Sequence, residues 1–144
     1  MNDTLRATWL RLFLRVLSLG FLIAFIPWIT LILVNAAILA PGSTLAPLLR
    51  FQPYNAYYES MLAAIHIVWA LMLWRAAGNP SQHVLFIDFT MWANAAHGVV
   101  MIIATPIQKG PVMMIIESLP LLMIAAVLRW LRPRSSQHKL AHVA

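Results

Sequence analysis

Hydrophobic positions gather into four long runs, at about residues 16–40, 56–77, 84–105 and 112–131, and most polar positions fall between them. Each run matches or exceeds the roughly 20 apolar residues that carry a helix across a bilayer. A helix apolar on every side suits hydrocarbon better than the surface of a soluble domain. The pattern therefore predicts an all-α fold: a four-transmembrane-helix bundle forming a single integral membrane domain over residues 1–144. One run departs from it. Residues 86–105 read FIDFTMWANAAHGVVMIIAT, and they place Asp88, Thr90, Asn94 and His97 where hydrocarbon penalises polar groups that nothing satisfies.

The breaks between the runs carry recognisable punctuation. Pro41, Gly42, Pro47 and Pro53 interrupt regular structure after the first run, with a short interfacial turn expected over residues 45–51 and Asn55 expected to cap the second helix. Tyr54, Tyr57 and Tyr58 at one end of the second span, and Trp74 with Arg75 at the other, suit the two membrane interfaces. Gly78, Asn79 and Pro80 then allow only a tight turn, so spans two and three form an antiparallel hairpin. Pro106, Gly110 and Pro111 make the last break, around Lys109. Within the first span, Pro27 removes a backbone donor and predicts a kink near residues 24–28. The basic start resembles that of a signal peptide, but the apolar run exceeds the roughly 7–15 residues of a signal core, and a retained span is expected.

Composition agrees with this reading. Hydrophobic residues make up 62% and charged residues 10% of the chain, and mean hydropathy is +0.80. The net charge of +6 does not point to nucleic acid, because the ten Lys and Arg flank the apolar runs. With four spans, eight of the ten fall on the side of the termini (Arg6, Arg11, Arg15, Arg75, Arg129, Arg132, Arg134 and Lys139), against Arg50 and Lys109 opposite. That asymmetry predicts both termini in the cytoplasm of a bacterial inner membrane, with the basic tail resting on anionic headgroups. Cysteine is absent, which excludes disulfides, thiolate metal sites and thioether-linked haem.

The ionisable residues inside spans are the candidates for function. At about 1.5 Å per residue, Glu59 lies near the outer end of span two, Glu117 in the second turn of span four, and His97 roughly 12 Å inside span three. His66 follows Glu59 by two turns on one face, while Thr90, Asn94, His97 and Met101 share a face of span three among the small residues Ala93, Ala95, Ala96 and Gly98. These positions predict a polar layer in the outer half of the membrane, from Asn35, Glu59, His66, Asn94, His97 and Glu117. Thr90 adjoins it as a side chain expected to bond its own helix backbone. Bundle-fastening bonds such as His66 to Asn94, or His97 to Glu59 or Glu117, would use that layer structurally. A haem or pigment on His66 and His97, or a polar headgroup, would use it functionally. The two histidines differ in depth by about 6 Å, which opposes a bis-histidine haem. Asp88 lies roughly opposite His97 on its helix, toward the inner side, and is expected to pair with Arg15, Arg75 or Arg129.

No catalytic motif is present: the chain lacks HExxH, a phosphate-binding glycine loop and the paired Glu-x-x-His of dimetal bundles. The segments YESMLAAIHIVWALMLWRAAGNPSQHVLFIDFTMWANAAHGVVM and IIESLPLLMIAAVLRWLRPRS resemble an uncharacterised family of small bacterial four-helix membrane proteins. Asn79, Pro80 and His83 match that family's turn, and Phe89, Thr90, Trp92 and His97 match its third helix, over residues 57–134. The resemblance implies the four-span topology and marks His97, but it brings no activity. In fold alone, the layout is similar to four-helix bundles that hold sterol or isoprenoid-like molecules. The expectation is a non-catalytic accessory subunit or hydrophobic-ligand-binding bundle, within the lipid bilayer and as part of a larger complex or homo-oligomer. The alternative is a membrane redox or isomerase enzyme using His66 or His97, assisted by Glu59 or Glu117.

Overall fold

The computed structural model describes residues 2–44, 46, 50, 54–108 and 110–132. Four α-helices dominate it: α1 (Asp3–Leu33), α2 (Ala56–Gly78), α3 (Val84–Gln108) and α4 (Pro111–Leu131), with 3-10 turns at Ala37–Leu39 and Pro80–Gln82. All four helices are long and apolar enough to cross a membrane, and only 17–28% of their most apolar windows is buried within the protein. Large side chains such as Ile23, Ile103, Ile115 and Met123 stand exposed along them. That outward apolar surface is what a lipid-facing helix presents. Lys109, Arg134, Lys139 and most of the interfacial turn expected over residues 45–51 lie outside the described residues.

Helix α1 differs from expectation in its placement, because the span expected at residues 16–40 is Asp3–Leu33. At 31 residues it is about 46 Å long, more than the hydrocarbon core needs. Its first turns, with Arg6 and Arg11, are helical although they are polar, and hydropathy alone gives no sign of that. Its end is set by Asn35, which adopts φ 49°. Ala36 N–H donates to the Leu31 carbonyl at 2.9 Å and Asn35 N–H to the Ile32 carbonyl at 3.0 Å. These two bonds make a Schellman stop, with Asn35 supplying the left-handed residue. Asn35 is thus exposed just past the helix, and its place is that of a terminator. Pro27 lies inside α1, which continues through it.

Two compact units share the chain, one of Met1–Leu12 with Gly78–Ala144, the other Phe13–Ala77. In the second unit, α2 buries a stripe at Glu59, Ala63, Ala70, Leu73 and Ala77, the three- and four-residue spacing of one helix face. Its alanines leave room for a close neighbour, and Ser18 on α1 donates its hydroxyl to the Ala70 carbonyl at 2.7 Å. Short polar side chains at a close helix contact are a usual fastening in membranes. At one end Arg15 lies over the Trp74 ring at 5.7 Å, a cation–π contact suited to the interface. The start of α2 is capped as expected, Asn55 Oδ1 accepting from Tyr58 N–H at 3.0 Å.

In the first unit, α3 and α4 form a closely packed helix pair. Gly110, with φ 87°, turns the chain, and Pro111 opens α4 at a position whose N–H a helix does not need. Midway along, Gly98 meets Leu122: a Cβ built on Gly98 would stand 2.8 Å from two Leu122 side-chain atoms. Near the loop, Thr105 donates its hydroxyl to Glu117 Oε2 at 3.0 Å. At the opposite end, Arg132 makes a two-pronged bridge to Asp88, with Nε at 2.5 Å from Oδ1 and Nη2 at 2.6 Å from Oδ2. The expected partners for Asp88 were Arg15, Arg75 and Arg129. Arg132 takes the place because it follows α4 directly and its planar fork matches the carboxylate.

The hydrogen bonds and charge of Asp88 raise the pKa of Arg132 above its ordinary value. The guanidinium therefore stays charged through neutral pH, and its part of the stabilisation fades as pH rises to strongly alkaline values. The pair is half-exposed and solvent-screened. Asp88→Asn is expected to lower the melting temperature in detergent measurably, yet less than loss of a fully buried ion pair would.

Candidate functional site

Among the sequence-predicted residues, Glu59 and His66 lie in the second unit, and Thr90, Asn94, His97 and Glu117 in the first. Glu59 is fully buried, and its Oε2 accepts from Arg50 Nε at 2.8 Å. Arg50 also donates Nη1 to the Leu39 carbonyl at 3.1 Å and lies 4.8 Å from the Tyr54 ring centroid. A carboxylate sealed from water is tolerated when a cation and hydrogen bonds accompany it. This cluster ties the chain between α1 and α2 to the start of α2. A cavity of about 20 Å³ beside it, lined by Asn35, Leu39 and Arg50, has room for a single water molecule. The cluster is built as a latch between that chain and α2.

His66 occupies a different setting on the same face of α2. Its Nδ1 lies 2.8 Å from the Leu62 carbonyl, and a carbonyl only accepts, so Nδ1 carries the proton. In the neutral ring that leaves the Nε2 lone pair pointing away from the helix backbone. The imidazole is half-buried, and among the described residues no hydrogen bond reaches Nε2. Aromatic rings wall it in. Phe25 stacks on it with centroids 4.2 Å apart and planes at 22°, Phe21 stands at 5.6 Å, and Trp69 at 5.8 Å. Trp28 extends the wall by packing on Phe25 at 5.7 Å. Phe21, Phe25 and Trp28 recur at four- and three-residue spacing, which brings them to one face of α1. That spacing is visible in the sequence, although such a stripe more often marks ordinary packing.

On α3, Thr90 and Asn94 are buried, and each donates to a carbonyl one turn back on its own helix. Thr90 Oγ1 donates to the Phe86 carbonyl at 2.9 Å, and Asn94 Nδ2 to the Thr90 carbonyl at 2.8 Å. Thr90 therefore bonds the backbone as expected, and Asn94 acts in the same way. His97 is exposed on α3, a position with surface toward the surroundings. Glu117 is half-buried beside Thr105.

No group of three or more His, Asp or Glu residues able to hold a metal occurs among the described residues. Comparison with protein-family models, with curated proteins and with solved structures finds no match for the chain.

Proposed function

We propose that the chain is a non-catalytic integral membrane protein that binds a hydroxyl-bearing, isoprenoid-type or sterol-like lipid at His66, alone or as an accessory subunit of a larger membrane complex. The observation that carries this reading is the His66 imidazole, with its proton on Nδ1 and its Nε2 acceptor open beside an aromatic wall. Flat rings from Phe25 and Trp69 suit planar or unsaturated hydrocarbon, and a single polar acceptor fixes which end of the ligand enters. The eight-to-two division of basic residues supports an inner-membrane location with both termini in the cytoplasm.

Native mass spectrometry of protein purified in mild detergent tests the reading. Wild type is expected to retain about one alcohol-headed lipid per chain. His66→Phe keeps the stack but removes Nε2 and is expected to retain about fivefold less, the worth of one hydrogen bond. Equal retention by both would reject Nε2 as the contact.

The same imidazole favours a second reading, because a histidine ligand commonly donates its other ring nitrogen to a carbonyl. A haem enzyme would then use Nε2 of His66 as a ligating atom. A Soret band lost in both His66→Ala and His97→Ala would establish that alternative over the non-catalytic one.

A further inference from the structure

At one end of the first unit, the start of α1 covers the turn before α3 and the end of α4. Arg6 donates Nη2 to the Trp130 carbonyl, anchoring the segment there. Beneath it lies a cavity of about 230 Å³, lined by Asp3, Arg6, Arg11, Asn79, Ser81 and Leu131 among others. Among the described residues its ionisable lining is two arginines and one aspartate, a formal charge of +1. Arg6 Nε is buried and has no hydrogen-bond partner among the described residues, so one guanidinium donor beside the cavity is unsatisfied. Buried donors are normally paired. The Ser81 hydroxyl donates to Asn79 Oδ1 at 2.7 Å, which leaves the Asn79 amide nitrogen as a further donor at the rim.

We infer that this cavity binds a phosphate group carrying one negative charge, held by Arg6 and Arg11 with Asn79 at the rim. A monoanion balances the lining charge, and the guanidinium fork matches phosphate oxygens. The turn Pro80–Gln82 lies between the ends of two candidate spans, the level at which lipid headgroups sit. An anionic phospholipid headgroup and free phosphate share this chemistry.

The test uses the full chain in detergent micelles, delipidated and then offered phosphatidylglycerol, phosphatidylcholine or inorganic phosphate, with retention read by native mass spectrometry. Arg11→Gln removes an exposed lining arginine and is expected to weaken phosphatidylglycerol retention about fivefold, in line with one basic residue at a membrane surface. Arg6→Gln is expected to weaken it at least as much, with circular dichroism confirming that the helices persist. Arg129→Gln, outside the cavity lining, is expected to change retention less than twofold. Displacement of the lipid by millimolar inorganic phosphate would support the site with soluble phosphate as its occupant; retention of phosphatidylglycerol against phosphate supports the headgroup. Phosphatidylglycerol retention unaffected by Arg11→Gln and Arg6→Gln alike, or reduced equally by Arg129→Gln, overturns the proposal.

Discussion

Replacing Arg50 with alanine is expected to destabilise the protein by about 3–5 kcal/mol, the usual cost of removing one partner from a buried ion pair. Glu59 has no exposed surface and the Arg50 side chain only 10%, so the pair is largely shielded from solvent. The same substitution also removes the bond to the Leu39 carbonyl and the stacking on Tyr54. Thermal unfolding in detergent, followed by circular dichroism, measures the loss. The double variant Arg50→Met with Glu59→Leu is expected to recover much of it, because an apolar pair of similar volume avoids the desolvation that the charges require. An Arg50→Ala protein as stable as wild type would show that the latch contributes nothing.

The second large effect is expected at Gly98. A Cβ there stands 2.8 Å from Leu122 Cγ and Cδ2 and 3.5 Å from Leu121 Cβ, so any side chain forces α3 and α4 apart or moves Leu122 off its rotamer. Gly98→Val is expected to cost about 1–3 kcal/mol, the range for overpacking. Gly98→Ala is expected to cost less, since its smaller clash is partly offset by the roughly 1 kcal/mol helix preference of alanine over glycine. The effects should also couple: Leu122→Ala beside Gly98→Val is expected to cost less than the sum of the two single changes. Simple additivity in detergent unfolding would mean that the Gly98–Leu122 approach does not hold the pair together.

These two sites differ in how far the sequence announces them. Hydropathy places α2 and α4 within a residue or so of their observed ends, because Asn55 and Pro111 are strong start signals and the residues that follow stay largely apolar to the end of each helix. The first span is displaced because hydropathy follows apolar content, whereas α1 continues into turns carrying Arg6 and Arg11 and stops where Asn35 turns left-handed. Helix α3 continues past Pro106 to Gln108. A proline lacks only its own donor and blocks the turn before it, which a helix end tolerates better than its middle.

Glu59 and Asp88 were legible as ionisable groups in apolar surroundings, but the particular arginines that face them were not. Helical periodicity assigns Glu59 and His66 to one face. It says nothing about a loop residue such as Arg50, whose position depends on how the chain between α1 and α2 returns. The sequence makes Asp88 a charge expected to face an arginine, and it does face one, although Arg132 lies just beyond α4, where the periodic pattern ends. The open nitrogen of His66 depends on a rotamer that directs Nδ1 to the Leu62 carbonyl, and no sequence pattern encodes that choice.

Photo-crosslinking with a diazirine-bearing isoprenoid alcohol tests the His66 lipid site most directly. Labelling is expected to concentrate in the peptides holding Phe21, Phe25 and Trp28 and those holding His66 and Trp69, to be competed by the unlabelled alcohol, and to fall about fivefold in His66→Phe. Labelling spread evenly over all four helices and unchanged in His66→Phe would contradict a lipid site at His66.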